Sequence, residues 1–230
     1  MAIVDNSGAI RAIMHFEIPG DVYFLQVEQR AKDKGNSRDR VIKDYHIHSI
    51  DQFDKEWQSI KLMCDTCNAR AMIRLNQRNT MDANIMTQIE CLAAQLEINR
   101  VLRKMIRTGN AGLALPKTQS AHRLYSSALG KSCTEDSSTK KWIIDIDPDM
   151  VDAGKSGFES LDTIVNTFSD YIEKACGGRI YCTLPSKSGL HLVTSTFRKD
   201  TFVNYFGTPD KQKEYIMEDA NTNLYIPDGL

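Results

Sequence analysis

The chain of 230 residues has no excess of either charge: 29 Lys and Arg against 30 Asp and Glu leave a formal net charge of -1. A general basic field for nucleic acid is therefore absent, and any such contact must come from a local patch. Cysteine is scarce, six residues at irregular spacing, which excludes the disulfide framework of a small secreted domain. No apolar run reaches the length needed to cross a bilayer, and the N-terminus lacks the apolar core of a signal peptide. These absences predict a reduced, soluble, cytoplasmic protein with no membrane partner. What is present is 41% hydrophobic residues, enough for one large domain or two small ones.

The sharpest local signal is residues 141–149, KWIIDIDPD. A short strand that ends in carboxylates has Asp145 and Asp147 on one face and Ile144 and Ile146 on the other, because strand side chains alternate. Carboxylates held side by side repel, and ordinary core packing does not need them. A hard divalent cation such as Mg²⁺ or Mn²⁺ turns that repulsion into binding. The plain alternative is a cap, a turn or a solvated strand end.

Along the chain the pattern predicts an α+β protein in three stretches. Residues 1–107 form an N-terminal α/β module. Strands at 23–30 and 41–48 are joined by a polar turn, and Ser49 or Asp51 caps a helix carrying Phe53, Trp57, Ile60 and Met63. Residues 69–75 alternate, with Arg70 and Arg74 on one face, either solvated or contacting phosphate. A long helix at 80–107 carries Ile85, Ile89, Leu92, Leu96 and Val101 at helical spacing and ends in a basic turn that suits the helix dipole. Residues 108–140 form a connecting region with a short helical piece at 121–129.

Residues 141–230 predict a strand, a helix, two strands, a second helix and a closing strand. Ser156-Gly157-Phe158-Glu159 reads as a capping box, and Phe158, Leu161, Val165, Phe168 and Ile172 as the buried stripe behind it. Strands follow at 179–184 and 190–197, then a helix at 199–217 broken near Gly207, and a last strand at 223–226. The order β-α-β-β-α-β is the ferredoxin-like, or RNA-recognition-motif-like, plan, in which helices cover one face and the other is left for a ligand.

Ser188-Gly189-Leu190-His191 opens the third of these strands. A glycine lets the backbone approach a ligand, a serine hydroxyl with nearby amides holds phosphate oxygens, and Lys187 adds a positive charge. A lone strand histidine is otherwise a structural residue. An Asp-x-Asp strand, a helix, Ser-x-x-His on a later strand and a further acid together resemble the archaeo-eukaryotic primase superfamily, which comprises primases and primase-polymerases. The resemblance covers roughly residues 141–228.

The resemblance implies a metal-dependent nucleotidyltransferase that adds nucleotides from triphosphates to a nucleic-acid 3′-hydroxyl. Asp145, Asp147 and Asp219 would bind Mg²⁺ or Mn²⁺, with Asp228 the competitor for the third acid. Ser188, His191 and Lys187 would hold the triphosphate, and Arg70, Arg74 and Arg78 would contact the DNA or RNA strand. A helicase or another replication or repair protein is the partner it implies. Where family members often carry arginine near the last strand, this chain has Asn223, Leu224 and Tyr225. The rival readings are a metal-dependent nuclease using the same acids and a sheet-based nucleic-acid-binding module without catalysis. Cys64-Asp65-Thr66-Cys67 lacks a second pair and predicts no zinc site. Gly130-Lys131-Ser132 and Gly154-Lys155-Ser156 lack the upstream glycine of a phosphate-binding loop.

Overall fold

The computed structural model describes residues 3–33, 36–151, 158–207 and 215–230. The chain begins with strand β1 (Val4–Asp5), helix α1 (Ser7–Ile13) and the antiparallel pair β2 (Asp21–Gln29) and β3 (Arg40–Ile47). Helix α2 (Ile50–Cys67) starts where the Ser49 hydroxyl accepts the Gln52 N–H and stops at Asn68, which takes the left-handed conformation at φ +50°. Strands β4 (Arg70–Arg74) and β5 (Arg78–Asn79), the long helix α3 (Thr80–Thr108) and helix α4 (Ala121–Lys131) follow. Beyond them lie β6 (Lys141–Ile146), α5 (Leu161–Tyr171), β7 (Ile180–Pro185), β8 (Leu190–Ser195), α6 (Lys199–Phe206), β9 (Ile216–Met217) and β10 (Asn221–Ile226).

Two antiparallel sheets result, so the α+β class holds. The first has the order β1-β10-β4-β2-β3, with β5 also paired to β2, and the second the order β7-β8-β6-β9. Alternation along each strand decides what each face meets. On the first sheet Tyr23, Leu25, Val27 and Ile73 share a core with Phe53, Ile60 and Cys64 of α2, and with Ile143, Leu184 and Val193 of the second sheet. Val22 and Phe24 face the other way, onto Ala83 of α3 and Ala128 and Leu129 of α4. On the second sheet Ile144, Ile146 and Leu192 pack under Ile164 and Phe168 of α5 and Phe202 of α6. One face of the second sheet is thus covered by helices; the other, expected to be left for a ligand, is packed on the first sheet through Ile143, Leu184 and Val193.

Four expectations change. The strand at 221–226 does not close the second sheet; it crosses to the first and pairs with β4 and β1, while Ile216–Met217 pairs with β6. Its apolar pattern specifies a buried strand without specifying the sheet that buries it. The helix after β6 begins at Leu161, capped by the Ser160 hydroxyl; residues 156 and 157 of the expected capping box lie outside the described residues. Helix α6 ends at Gly207, φ +75°, and not at 217; residues 208–214 lie outside the description. The region 108–140 is more than a connection: α4 packs on the first sheet, and Arg78 bridges to Cys133.

Helix α3 covers the expected span, but Val101 does not share a face with Ile85, Ile89, Leu92 and Leu96. Of its residues only Ala83 is buried, whereas Ile85, Ile89, Leu92 and Leu96 are 50–66% exposed. The face that meets the body is the opposite one, where Glu90, Ala94, Ile98 and Val101 are half-buried. No helix among the described residues is long and apolar enough to cross a membrane.

Candidate active site

The face of β6 and β8 turned towards the first sheet carries the acid and the histidine. Pairing of the two strands sets Asp145 directly opposite His191, and the Asp145 N–H is donated to the Tyr215 carbonyl at 2.9 Å. His191 is buried, with Nε2 3.4 Å from Asp145 Oδ1 and Nδ1 2.8 Å from Thr222 Oγ1. In the tautomer that carries its proton on Nε2, the ring turns a donor to the acceptor-only carboxylate and Nδ1 accepts from the Thr222 hydroxyl. Thr222 reaches the ring because β10 lies in the first sheet, opposite Ile73 of β4. Sequence reading missed this residue, since it placed that strand elsewhere.

The turn between β7 and β8 lies over the carboxyl end of β6. The Ser186 N–H donates to the Gly189 carbonyl at 2.9 Å, and the Gly189 N–H donates to the Ser186 hydroxyl at 3.0 Å. A Cβ at Gly189 would collide with the Ile146 carbonyl oxygen and lie 3.2 Å from the Asp147 Cα. Glycine is therefore required by the approach of the chain's own backbone, a sufficient reason without any ligand. Ser188 is exposed on the turn.

Lys187 does not stand alone at this turn. Its Nζ pairs with Asp33 Oδ1 at 2.9 Å, and Asp33 also receives the Arg70 guanidinium, with Nε to Oδ2 at 2.6 Å and Nη2 to Oδ1. The Asp33 side chain is fully buried and Arg70 is 2% exposed. Burial alone would push the Asp33 carboxyl up, but the two cations outweigh it and hold it below the usual carboxylate range. Arg70 is therefore an interior ion-pair partner and not a solvated or strand-contacting arginine. The cluster ties the β7–β8 turn to the loop after β2.

Asp219 lies in the connection from β9 to β10, where Arg78 grips it through Nη1 to Oδ2 at 2.8 Å and through Nη2 to Oδ1. Asn76 Nδ2 donates to the same carboxylate at 3.2 Å, and Arg74 Nη1 donates to the Asp219 carbonyl at 2.6 Å. Burial raises the Asp219 carboxyl, yet Arg78 leads the opposing contacts, and its pKa lies below the ordinary value. Arg78 is fully buried, so of the three arginines read as strand contacts two are interior. The third, Arg74, lines a cavity of about 330 Å³ with Phe24, Gln26, Ser126, Ser127 and Lys131.

The structure thus brings Asp145, His191 and Thr222 together, places Asp147 and the Ser188 turn at the end of the same strand, and holds Asp219 in a separate ion pair. Asp228 is exposed near the C-terminus. Among the described residues no group of three or more His, Cys, Asp or Glu converges as a metal site. The oxygen donors of Asp145, which is 29% exposed, and Asp147 fit a hard cation that takes its remaining ligands from water and phosphate. Asp219, neutralised by Arg78, does not fit that set in this arrangement. The six cysteines are free, and burial pushes the Cys64 thiol up to about 12, the behaviour of a packed thiol and not of a metal ligand.

Comparison with family models, with curated proteins and with solved structures returns no match for this chain.

Proposed function

We propose that the chain is a metal-dependent nucleotidyltransferase of the primase-polymerase type, acting from nucleoside triphosphates on a nucleic-acid 3′-hydroxyl. The observation that carries the reading is the direct pairing of Asp145 with His191 across β6 and β8, beneath a Ser-x-x-His turn and beside Asp147. The strand order β7-β8-β6-β9, with α5 and α6 on one face, supports an RNA-recognition-motif-like module as its frame.

In this proposal Asp145 and Asp147 hold Mg²⁺ or Mn²⁺ together with the triphosphate. The ion, when bound, neutralises phosphate charge and aligns the attacking and leaving oxygens. His191 keeps its Nε2 proton towards the site, where it donates to a phosphate oxygen, and Thr222 fixes the ring from behind. The 3.4 Å separation from Asp145 is long for a hydrogen bond, so the ring exchanges that partner for phosphate at little cost. Ser188, exposed on the turn, supplies a hydroxyl to the phosphates.

Extension of a labelled primer on a template, with triphosphates and Mg²⁺ or Mn²⁺, tests the reading. Growth of the primer that is lost in His191→Ala supports it. Strand cleavage that needs no triphosphate would replace it with the nuclease reading, and strand binding without either reaction would leave a binding module.

A further inference from the structure

The exposed stripe of α3 is a heptad seam. Ile85, Ile89, Leu92 and Leu96 follow one another at spacings of four, three and four, and the same alternation continues through Asn99 and Arg103 to Ile106. That spacing is what one helix presents to another in a coiled coil. The stripe is 50–66% exposed along its apolar block and 82% exposed at Ile106, on the face opposite the one that docks on the body. Contiguous apolar surface of this kind marks an interaction site.

The charges along α3 are segregated. Asp82, Glu90 and Glu97 lie in its first two thirds, and Arg100, Arg103, Lys104 and Arg107 in its last turns. Arg100 meets Glu97 of its own helix, at 3.3 Å and on an exposed surface. An antiparallel copy with the apolar block laid on itself brings Asp82 beside the copy's Arg100 at both ends, whereas a parallel copy sets Asp82 against Asp82 and Arg100 against Arg100.

We propose that α3 is a dimerisation helix, pairing antiparallel with α3 of a second copy of this chain through Ile85, Ile89, Leu92 and Leu96. With the apolar block laid on itself, Ile85 lies opposite the copy's Leu96 and Ile89 opposite the copy's Leu92. Asp82 then comes level with the copy's Asn99 and Arg100, a polar layer that closes each end of the seam. The contact is isologous, as a two-fold dimer requires. Asp145 and His191 lie on the far side of the first sheet from α3, so the contact does not involve them.

Sedimentation velocity on the full chain at micromolar concentration tests the proposal. Wild type sediments as a dimer, twice 26.0 kDa. Leu92→Glu sediments as a monomer with unchanged circular dichroism, its dissociation constant raised roughly 30-fold for each of the two charges introduced. A nitroxide at Leu102, in a Cys91→Ser background, reads the direction. Two labels each 11.5 residues from the seam centre lie about 35 Å apart along an antiparallel pair, at roughly 1.5 Å per residue, and side by side in a parallel one. A monomeric wild type, a dimer that survives Leu92→Glu, or closely spaced labels would each overturn the proposal, the first leaving the stripe to a different partner.

Discussion

Removing Arg70 should damage the protein more than its place on a mid-sheet strand suggests. Arg70→Met leaves the carboxylate of Asp33, which is fully buried, with Lys187 as its remaining cation among the described residues. Breaking a buried ion pair from one side costs about 3–5 kcal/mol, and the surviving Lys187 contact favours the lower end. For a chain of this size a loss of that order lowers the melting temperature by roughly 6–20 °C, at about 2–4 °C per kcal/mol. The companion variant Arg70→Met/Asp33→Leu removes both charges and lets Lys187, 23% exposed already, turn to water. It should regain most of the loss, within about 1–2 kcal/mol of wild type. Denaturant unfolding of the wild type, both single variants and the double variant measures the coupling. A cost below about 1 kcal/mol for Arg70→Met, or a double variant no more stable than the singles, would refute the buried-pair reasoning.

Three further outcomes follow from the same contacts. Thr222→Val removes the hydroxyl from His191 Nδ1 and should raise the nucleotide KM by about ten-fold, a loss of about 1.4 kcal/mol, with Thr222→Ser restoring it; an unchanged KM would remove Thr222 from the site. Gly189→Ala forces the turn off the Ile146 carbonyl and should cost about 1–3 kcal/mol, read by thermal melting, together with most of any nucleotide binding. The third concerns acid. Asp33 and Asp219 both titrate below their unfolded value of 3.8, so the unfolded chain binds the extra protons. Their stabilisation is present above that value and is lost as pH falls below it through the lower folded-state pKa, so urea midpoints should stay level from neutral pH to about 5 and drop below about 4. Asp219→Asn should shrink that drop, and an unchanged acid limb would contradict the Arg78 pairing.

The elements that local chemistry dictates were legible in the sequence. The hairpin of β2 and β3, the cap at Ser49 and the Asp145 strand follow from alternation and capping, and the α+β class follows from their order. Residue type and spacing mark Asp145 and His191 as candidates, and the register of β6 and β8 sets them opposite each other. What failed needed tertiary information. Residues 221–226 read as a strand, but nothing local says that they cross to the first sheet, so Thr222 escaped notice. Arg70 and Arg78 resemble surface cations until Asp33 and Asp219, 37 and 141 residues away, are known to meet them. The spacing of Ile85, Ile89, Leu92 and Leu96 marks one face of α3, but Val101 falls on the opposite face, and burial depends on which face meets the body.

The central claim rests on the carboxylates at the end of β6. Incorporation of labelled nucleotides into a primed template, with Mg²⁺ or Mn²⁺ and with neither, should be metal-dependent in the wild type. In Asp145→Asn/Asp147→Asn it should fall by on the order of a thousand-fold while the fold is retained, because the residues that hold the ion are gone. Extension at the wild-type rate in that variant would contradict the account, as would a wild type that neither extends a primer nor binds triphosphate in a metal-dependent manner.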